Sequence, residues 1–188
     1  PYYLWRQQIP TTEDKVILDA GCGTGYKAAL LAEANPRAKI VGIDLSPKSL
    51  NLAQKRMKYC GCEDRSEFHS LAIENIAQLG IQFDYINCDE VLYYSNDIAS
   101  ELATLKSVLK PDGIIRANLH SLFQRQAFFR GQELFSLIGL MEESAEGMAV
   151  PIAVETMKAL KSDVKLKQET WTSPYEDEAR NQELLLMN

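Results

Sequence analysis

A doubly wound α/β fold, a parallel sheet with helices on both faces, is the architecture this sequence predicts. Three features carry the expectation. Five apolar runs alternate with stretches of helical periodicity. Glycines at 21, 23 and 25 follow the first run directly. A lone acid, Asp44, closes the second run nineteen residues after Gly25. Crossovers between such strands are right-handed in nearly all cases, so the strands should lie parallel.

The elements follow in order. Val16-Ile17-Leu18-Asp19-Ala20 reads as the first strand, and a helix should run from Tyr26 to Ala34 before Pro36 stops it. Lys39 to Asp44 is the second strand. Ser46 then serves as N-cap and Pro47 as first helical residue, where its missing N–H costs nothing. That helix should reach about Tyr59 and end at Gly61. A shorter third strand covers 66–70, and Phe83 to Cys88 is the fourth. A helix over 98–109, a turn at Lys110-Pro111-Asp112-Gly113 and a fifth strand over 114–119 follow. After His120 the pattern changes. Phe123, Ala127, Phe128, Leu134, Phe135 and Ile138 suggest one or two amphipathic helices in 122–140, and another is expected over 152–160. The aromatics Phe123, Phe128, Phe129 and Phe135 read as helix core before substrate wall. The polar stretch 172–181 reads as a loop or helix start. The organisation expected is a core over 1–121 and a helical lid or insertion over 122–188.

Composition narrows the function. With 188 residues, 46% hydrophobic and 24% charged, this is an ordinary globular chain with one sizeable core. The net charge of −6, from 20 basic and 26 acidic residues, argues against nucleic acid or anionic lipid as partner. No run approaches the ~18 apolar residues of a membrane span. Cys22, Cys60, Cys62 and Cys88, with His69 and His120 standing apart, show no metal-ligand spacing and read as free thiols of a cytoplasmic protein. The start shows no secretory signal pattern. The chain opens Pro1-Tyr2-Tyr3 without Met and ends Leu184-Leu185-Leu186-Met187-Asn188, so both ends read as cut from something longer.

The chemistry sits in Asp19-Ala20-Gly21-Cys22-Gly23-Thr24-Gly25. Glycines admit backbone conformations closed to other residues and let a ligand approach the main chain. The helix that follows turns its free N–H groups and positive end toward that ligand. Open α/β sheets bind ligands at this carboxyl edge. A dinucleotide fingerprint needs a third glycine at position 26, which is Tyr26, and no Gly-Lys-Ser/Thr of a phosphate loop follows. Asp19 inside the loop motif suits a cationic ligand better than phosphates. Asp44 can accept hydrogen bonds from both hydroxyls of a ribose. The pocket therefore expects a nucleoside without phosphates and with a cationic part.

These residues resemble the class I S-adenosylmethionine (SAM)-dependent methyltransferases. Residues 16–25 look like the family's first motif and Ile43-Asp44-Leu45-Ser46 like its second. Phe83 to Cys88 with Val91-Leu92-Tyr93-Tyr94 resembles the fourth-strand motif, and Leu109-Lys110-Pro111-Asp112-Gly113 the turn before the fifth strand. The resemblance covers about 14–120. It implies a Rossmann-like sheet of at least five strands in the order 3-2-1-4-5 and SAM as cofactor. By the same resemblance Asp19, Gly21, Cys22, Gly23 and Gly25 hold the methionine part, and Asp44 with Leu45 the ribose. Ala72 and Ile73, through their backbone, or Glu74 in place of the usual acid, lie where adenine is held, Cys88 counts among the cofactor-binding residues, and the residues after the fourth strand line the methyl-transfer site. The sequence departs from the family at Ala72, where an acid is common, at Tyr94, where many relatives carry His, and after Leu119, where no closing strand pair is evident.

Methyl transfer mainly requires alignment and exclusion of water. Where the acceptor must lose a proton, His120, just after the fifth strand, is the candidate base, with Tyr93 and Tyr94 as positioning groups or ring faces toward the sulfonium. Each has a structural alternative, as a hydrogen-bonded strand-end residue or as packing of the turn. The expected acceptor is a small molecule. A non-catalytic sensor or scaffold domain of a larger protein, and a protein methyltransferase, stand as alternatives. A nicotinamide oxidoreductase is disfavoured by Tyr26. The apolar C-terminal end suggests an additional domain or a homo-oligomer formed through the C-terminal helices.

Overall fold

The computed structural model describes residue 7 and residues 13–95, 97–119, 121–140 and 146–170, with the backbone alone for 146–150. The chain divides into two compact units, residues 1–119 and 120–188. The first unit holds a five-stranded sheet: β1 (Val16–Ala20), β2 (Lys39–Asp44), β3 (Ser66–Ser70), β4 (Phe83–Cys88) and β5 (Leu109–Ala117). Every pairing is parallel, in the order β3-β2-β1-β4-β5. The helices between them are α1 (Tyr26–Ala34), α2 (Pro47–Tyr59) and α3 (Ile98–Ser107).

Alternation along the strands sorts the core onto two faces. Ile17 and Ile40 pack with Ala28 and Ala32 of α1 and Met57 of α2. Leu18, Val41, Ile43 and Ile86 pack on the other face with Leu105 of α3 and with Ile73 and Ile76. The latter two belong to a 3-10 segment, Ile73–Leu79, that periodicity did not single out. Ser46 caps α2 as expected, its hydroxyl accepting the Ser49 N–H at 3.3 Å with Pro47 at the first position. Asp84 ties the opposite edge of the sheet. Its carboxylate accepts Lys15 at 2.9 Å, Lys110 at 2.7 Å and the Val16 N–H at 2.9 Å. Burial pushes Asp84 up, but these three donors outweigh it and hold its carboxyl below the usual range.

One boundary differs from expectation. The helix ends at Ser107 and β5 begins at Leu109, so the expected turn lies inside the strand. Phe83 pairs with Leu109 and Tyr85 with Ile114, so residues 110–113 bulge out of the ladder. Gly113 is needed there because a Cβ would stand 2.7 Å from Leu109 Cγ and 3.0 Å from the Lys110 carbonyl. The strand resumes its pairing with β4 at Ile114.

The second unit holds α4 (Gln126–Leu137), α5 (Glu146–Ala159) and α6 (Lys165–Thr170). Its core is Phe135, Ala153 and Met157, with Phe128, Leu140, Leu160 and Leu166 against it. Of the four aromatics expected in helix core, Phe128 and Phe135 are there, whereas Phe123 and Phe129 are exposed. α5 starts before the expected position and carries Pro151 in its interior. The stretch 172–181 lies outside the described residues. Among the described residues no helix is long and apolar enough to cross a membrane.

Candidate active site

The loop between β1 and α1 is built on left-handed backbone. Gly21, Gly23 and Gly25 have φ of 70°, 51° and 77°, a region that costs other residues about 1 kcal/mol or more. Two of them also have no room for a side chain. A Cβ on Gly21 would lie 2.2 Å from Val91 Cγ2, and one on Gly25 2.7 Å from Ala53 Cβ. The Cys22 N–H donates to the Ile43 carbonyl at 2.9 Å, which carries the β1–β2 ladder into the loop.

Asp44 locks this loop to the second crossover. Its Oδ2 accepts the Gly23 N–H at 2.8 Å, and its Oδ1 accepts the Ser46 N–H at 2.8 Å. Each carboxylate oxygen keeps further acceptor capacity, so Asp44 can hold the loop and still receive ligand hydroxyls. Asp19 lies beneath the loop, 1% exposed. Its Oδ1 accepts from Asn87 Nδ2 at 2.8 Å, while its Oδ2 makes no hydrogen bond. Burial pushes Asp19 up to about 6, against the opposing pull of the Asn87 bond and of Lys27. Burial also pushes the thiols of Cys22 and Cys88 up to about 12, with nearby carboxylates adding to it. Both thiols are therefore neutral and poorly nucleophilic at physiological pH.

A cleft of about 620 Å³ opens over the carboxyl edge of the sheet, within the range of small-ligand sites. Gly21, Asp44, Leu45, Ala72 and Ile73 line it together with Glu90, Val91, Tyr94, Asp97 and Glu101. Five of its described lining residues are carboxylates (Asp44, Glu74, Glu90, Asp97 and Glu101), and none is Lys or Arg. Glu90 sits at φ 66°, rare for a side-chain-bearing residue. Asn118 holds it there: its Oδ1 accepts the Glu90 N–H at 2.6 Å and its amide donates to the Glu90 carboxylate. The Tyr93 hydroxyl donates to Glu90 Oε2 at 3.0 Å and lies 3.4 Å from the Tyr94 hydroxyl. Burial, then Tyr94 and Glu90, push the Tyr93 phenol above its ordinary range.

Of the residues singled out by sequence, Gly21, Asp44, Leu45, Ala72, Ile73 and Tyr94 meet in this one cleft. Asp19, Cys22, Gly23, Gly25, Cys88 and Tyr93 stand behind or beside it and are not among its walls. His120 lies outside the described residues. Sequence reasoning missed Asn118 and gave no individual role to Glu90, while Val91 and Asn87 lay inside the motif segments without a role of their own. A lone Glu before the Val91-Leu92-Tyr93-Tyr94 stretch was the one available sign of Glu90.

A glycine loop and a strand-end acid on one cleft, at the carboxyl edge of a 3-2-1-4-5 sheet, define an open α/β ligand-binding domain. The chain belongs to the methyltransferase domain family, which it matches over residues 11–180. An uncharacterized protein of Synechococcus sp. is 36% identical over 158 residues, 82% of this chain and 38% of its own length. A malonyl-[acyl-carrier protein] O-methyltransferase of Acetivibrio thermocellus is 35% identical over 99 residues, 53% of this chain and 33% of that one. The chain thus spans little more than a third of the length of these relatives. PKMT2 from Rickettsia typhi shares the fold, with a TM-score of 0.61 at 24% identity over 93% of this chain and 32% of that one. That protein also has a structure in complex with AdoHcy.

Proposed function

We propose that this chain is the cofactor-binding part of a SAM-dependent methyltransferase acting on a small molecule. The observation that carries the reading is the meeting of Gly21 and Asp44 on one cleft. The residues present fit the cofactor. Gly21 brings side-chain-free backbone to the cleft wall, and Asp44 has acceptor capacity to spare for two ribose hydroxyls. Asp19 carries a buried oxygen without a hydrogen-bond partner, the acceptor a cationic amine needs. Ala72 and Ile73 bring backbone and apolar side chain to the adenine end.

When bound, SAM supplies an activated methyl group on a sulfonium. The chain's part is then to bind, orient and keep water away. Asp44 and the glycine loop fix one end of the cleft. Tyr94 and Glu90 line the same cleft and are the proposed neighbours of the acceptor, and Tyr93 holds Glu90 through its hydroxyl. His120 is the proposed base for an acceptor that loses a proton. The carboxylate-rich lining favours an acceptor that arrives neutral or cationic over one that arrives as a carboxylate, since like charges in a cleft repel. A cytoplasmic setting agrees with free thiols and the acidic surface.

The test is a parallel calorimetric titration with SAM, S-adenosylhomocysteine and NADH, on the natural chain and on Asp44→Asn. The first two should bind at micromolar levels and NADH should not. Asp44→Asn should weaken both by tenfold or more. Tight NADH binding, or full affinity in the variant, would overturn the reading.

A further inference from the structure

Three polar residues at the carboxyl end of the sheet form a line that the cleft walls do not include. Asp19, Asn87 and Arg116 are register neighbours on β1, β4 and β5. Arg116 Nη1 donates to Asn87 Oδ1 at 2.8 Å, and Asn87 Nδ2 donates to Asp19 Oδ1 at 2.8 Å. Chemistry sets the direction of this line. A guanidinium only donates and an ionised carboxylate only accepts, so an amide between them has one orientation. Asn87 is 3% exposed and Asp19 1%, so water does not compete for the bond between them. Arg116 is held in turn by Asp89 at 3.1 Å, which also pairs with Lys27 of α1.

We propose, resting on the cofactor reading above, that Asn87 and Arg116 are positioning residues for cofactor binding. Their line of donors ties down Oδ1 of Asp19 and leaves Oδ2 as the counter-charge for a cationic group brought to the glycine loop. The amino group of S-adenosylhomocysteine is such a cation.

The charges around Asp19 make the line matter. Burial opposes its charge most strongly, and the Asn87 bond is the largest effect favouring it. Lys27 and the Ala28 N–H of α1, which faces the carboxylate outside hydrogen-bond geometry, also favour it, and Asp89 opposes it. Arg116 of β5 faces it from beyond Asn87. The remaining titratable neighbours are Cys22 in the loop and Tyr85 and Cys88 on β4, all three pushed up and neutral. Removing Asn87 therefore shifts the balance toward the neutral acid, which cannot serve as a counter-charge. Removing Arg116 frees the amide to turn its oxygen toward Asp19.

The experiment is a titration of the full chain with S-adenosylhomocysteine from pH 5 to 8, by calorimetry. The Asp19 carboxyl is followed by carbon NMR in parallel. In the natural chain affinity should climb as pH passes about 6 and then level. Asn87→Leu should move that midpoint up by about one pH unit, which is about a fivefold loss at pH 6 that largely recovers at pH 8. Arg116→Met should move it the same way, and Arg116→Lys, which keeps a donor, should restore it. A loss by the same factor at every pH, or an unmoved Asp19 midpoint in folded Asn87→Leu, overturns the proposal. Absence of binding by the natural chain at every pH, with the NMR midpoint still moved by Asn87→Leu, overturns the cofactor reading instead and reduces the line to a structural one.

Discussion

Replacing Asp19 with Asn should flatten part of the chain's stability profile with pH. Burial raises the Asp19 carboxyl from 3.8 to about 6. The sign follows from proton counting. Between those values the folded chain binds the proton and the unfolded chain does not, so stability falls as pH rises through the window. Above pH 6 the whole penalty is present, about 3 kcal/mol at 1.36 kcal/mol per pKa unit. Between pH 4.5 and 7.5 it amounts to about 2 kcal/mol. Asp19→Asn has no charge to bury, so its profile lacks this slope. The new amide carries its own cost of about 1–3 kcal/mol for unpaired N–H groups, but that cost is the same at both pH values and cancels. The assay is urea unfolding of both chains at pH 4.5 and 7.5. The natural chain should lose about 2 kcal/mol more than the variant between the two. Parallel profiles would refute the claim that Asp19 is ionised at a cost in the ligand-free chain. On the proposed cofactor reading the same substitution should also abolish most affinity for S-adenosylhomocysteine, since it removes the proposed counter-charge for the ligand's amino group.

Other outcomes follow from the same geometry. Asp84→Asn should cost about 1–2 kcal/mol at neutral pH in thermal unfolding, since two lysines and the Val16 N–H lose a charged acceptor. In the natural chain that contribution should be present above about pH 3.8 and be lost progressively as pH falls from there through the lowered Asp84 pKa. Gly21→Ala should weaken S-adenosylhomocysteine binding at least tenfold through its φ of 70° and its clash with Val91. Val91→Ala in the same chain should recover only part, because the clash goes and the backbone strain stays. Iodoacetamide at pH 8, followed by mass spectrometry, should label exposed Cys60 well before buried Cys22 and Cys88.

What could be read in advance was what local pattern encodes. The glycine loop, Asp44 and the Ser46-Pro47 helix start are each set by residues a few positions apart, and each stands where the sequence pointed. The sheet order came from resemblance to a family, and the structure has that order. The polar line of Asp19, Asn87 and Arg116 joins residues 68 and 29 positions apart. Asn87 and Arg116 read as unremarkable strand residues until the strands are laid side by side. Glu90 escaped for a different reason. Its left-handed backbone is held by Asn118, 28 positions away, and nothing in its neighbours along the chain demands that conformation. Lys110-Pro111-Asp112-Gly113 read as a turn before the fifth strand, and the structure has it as an irregularity within that strand. The long-range pairing of Leu109 with Phe83 then absorbed it into a strand.

The central claim is that Gly21 and Asp44 hold one nucleoside cofactor in one cleft. A crystal structure of the chain with S-adenosylhomocysteine tests it most directly. The account predicts the ligand in the cleft lined by Gly21, Asp44 and Val91, its ribose hydroxyls on the Asp44 carboxylate and its amino group on the Asp19 side. A ligand seated elsewhere, or a ribose with no contact to Asp44, would contradict it.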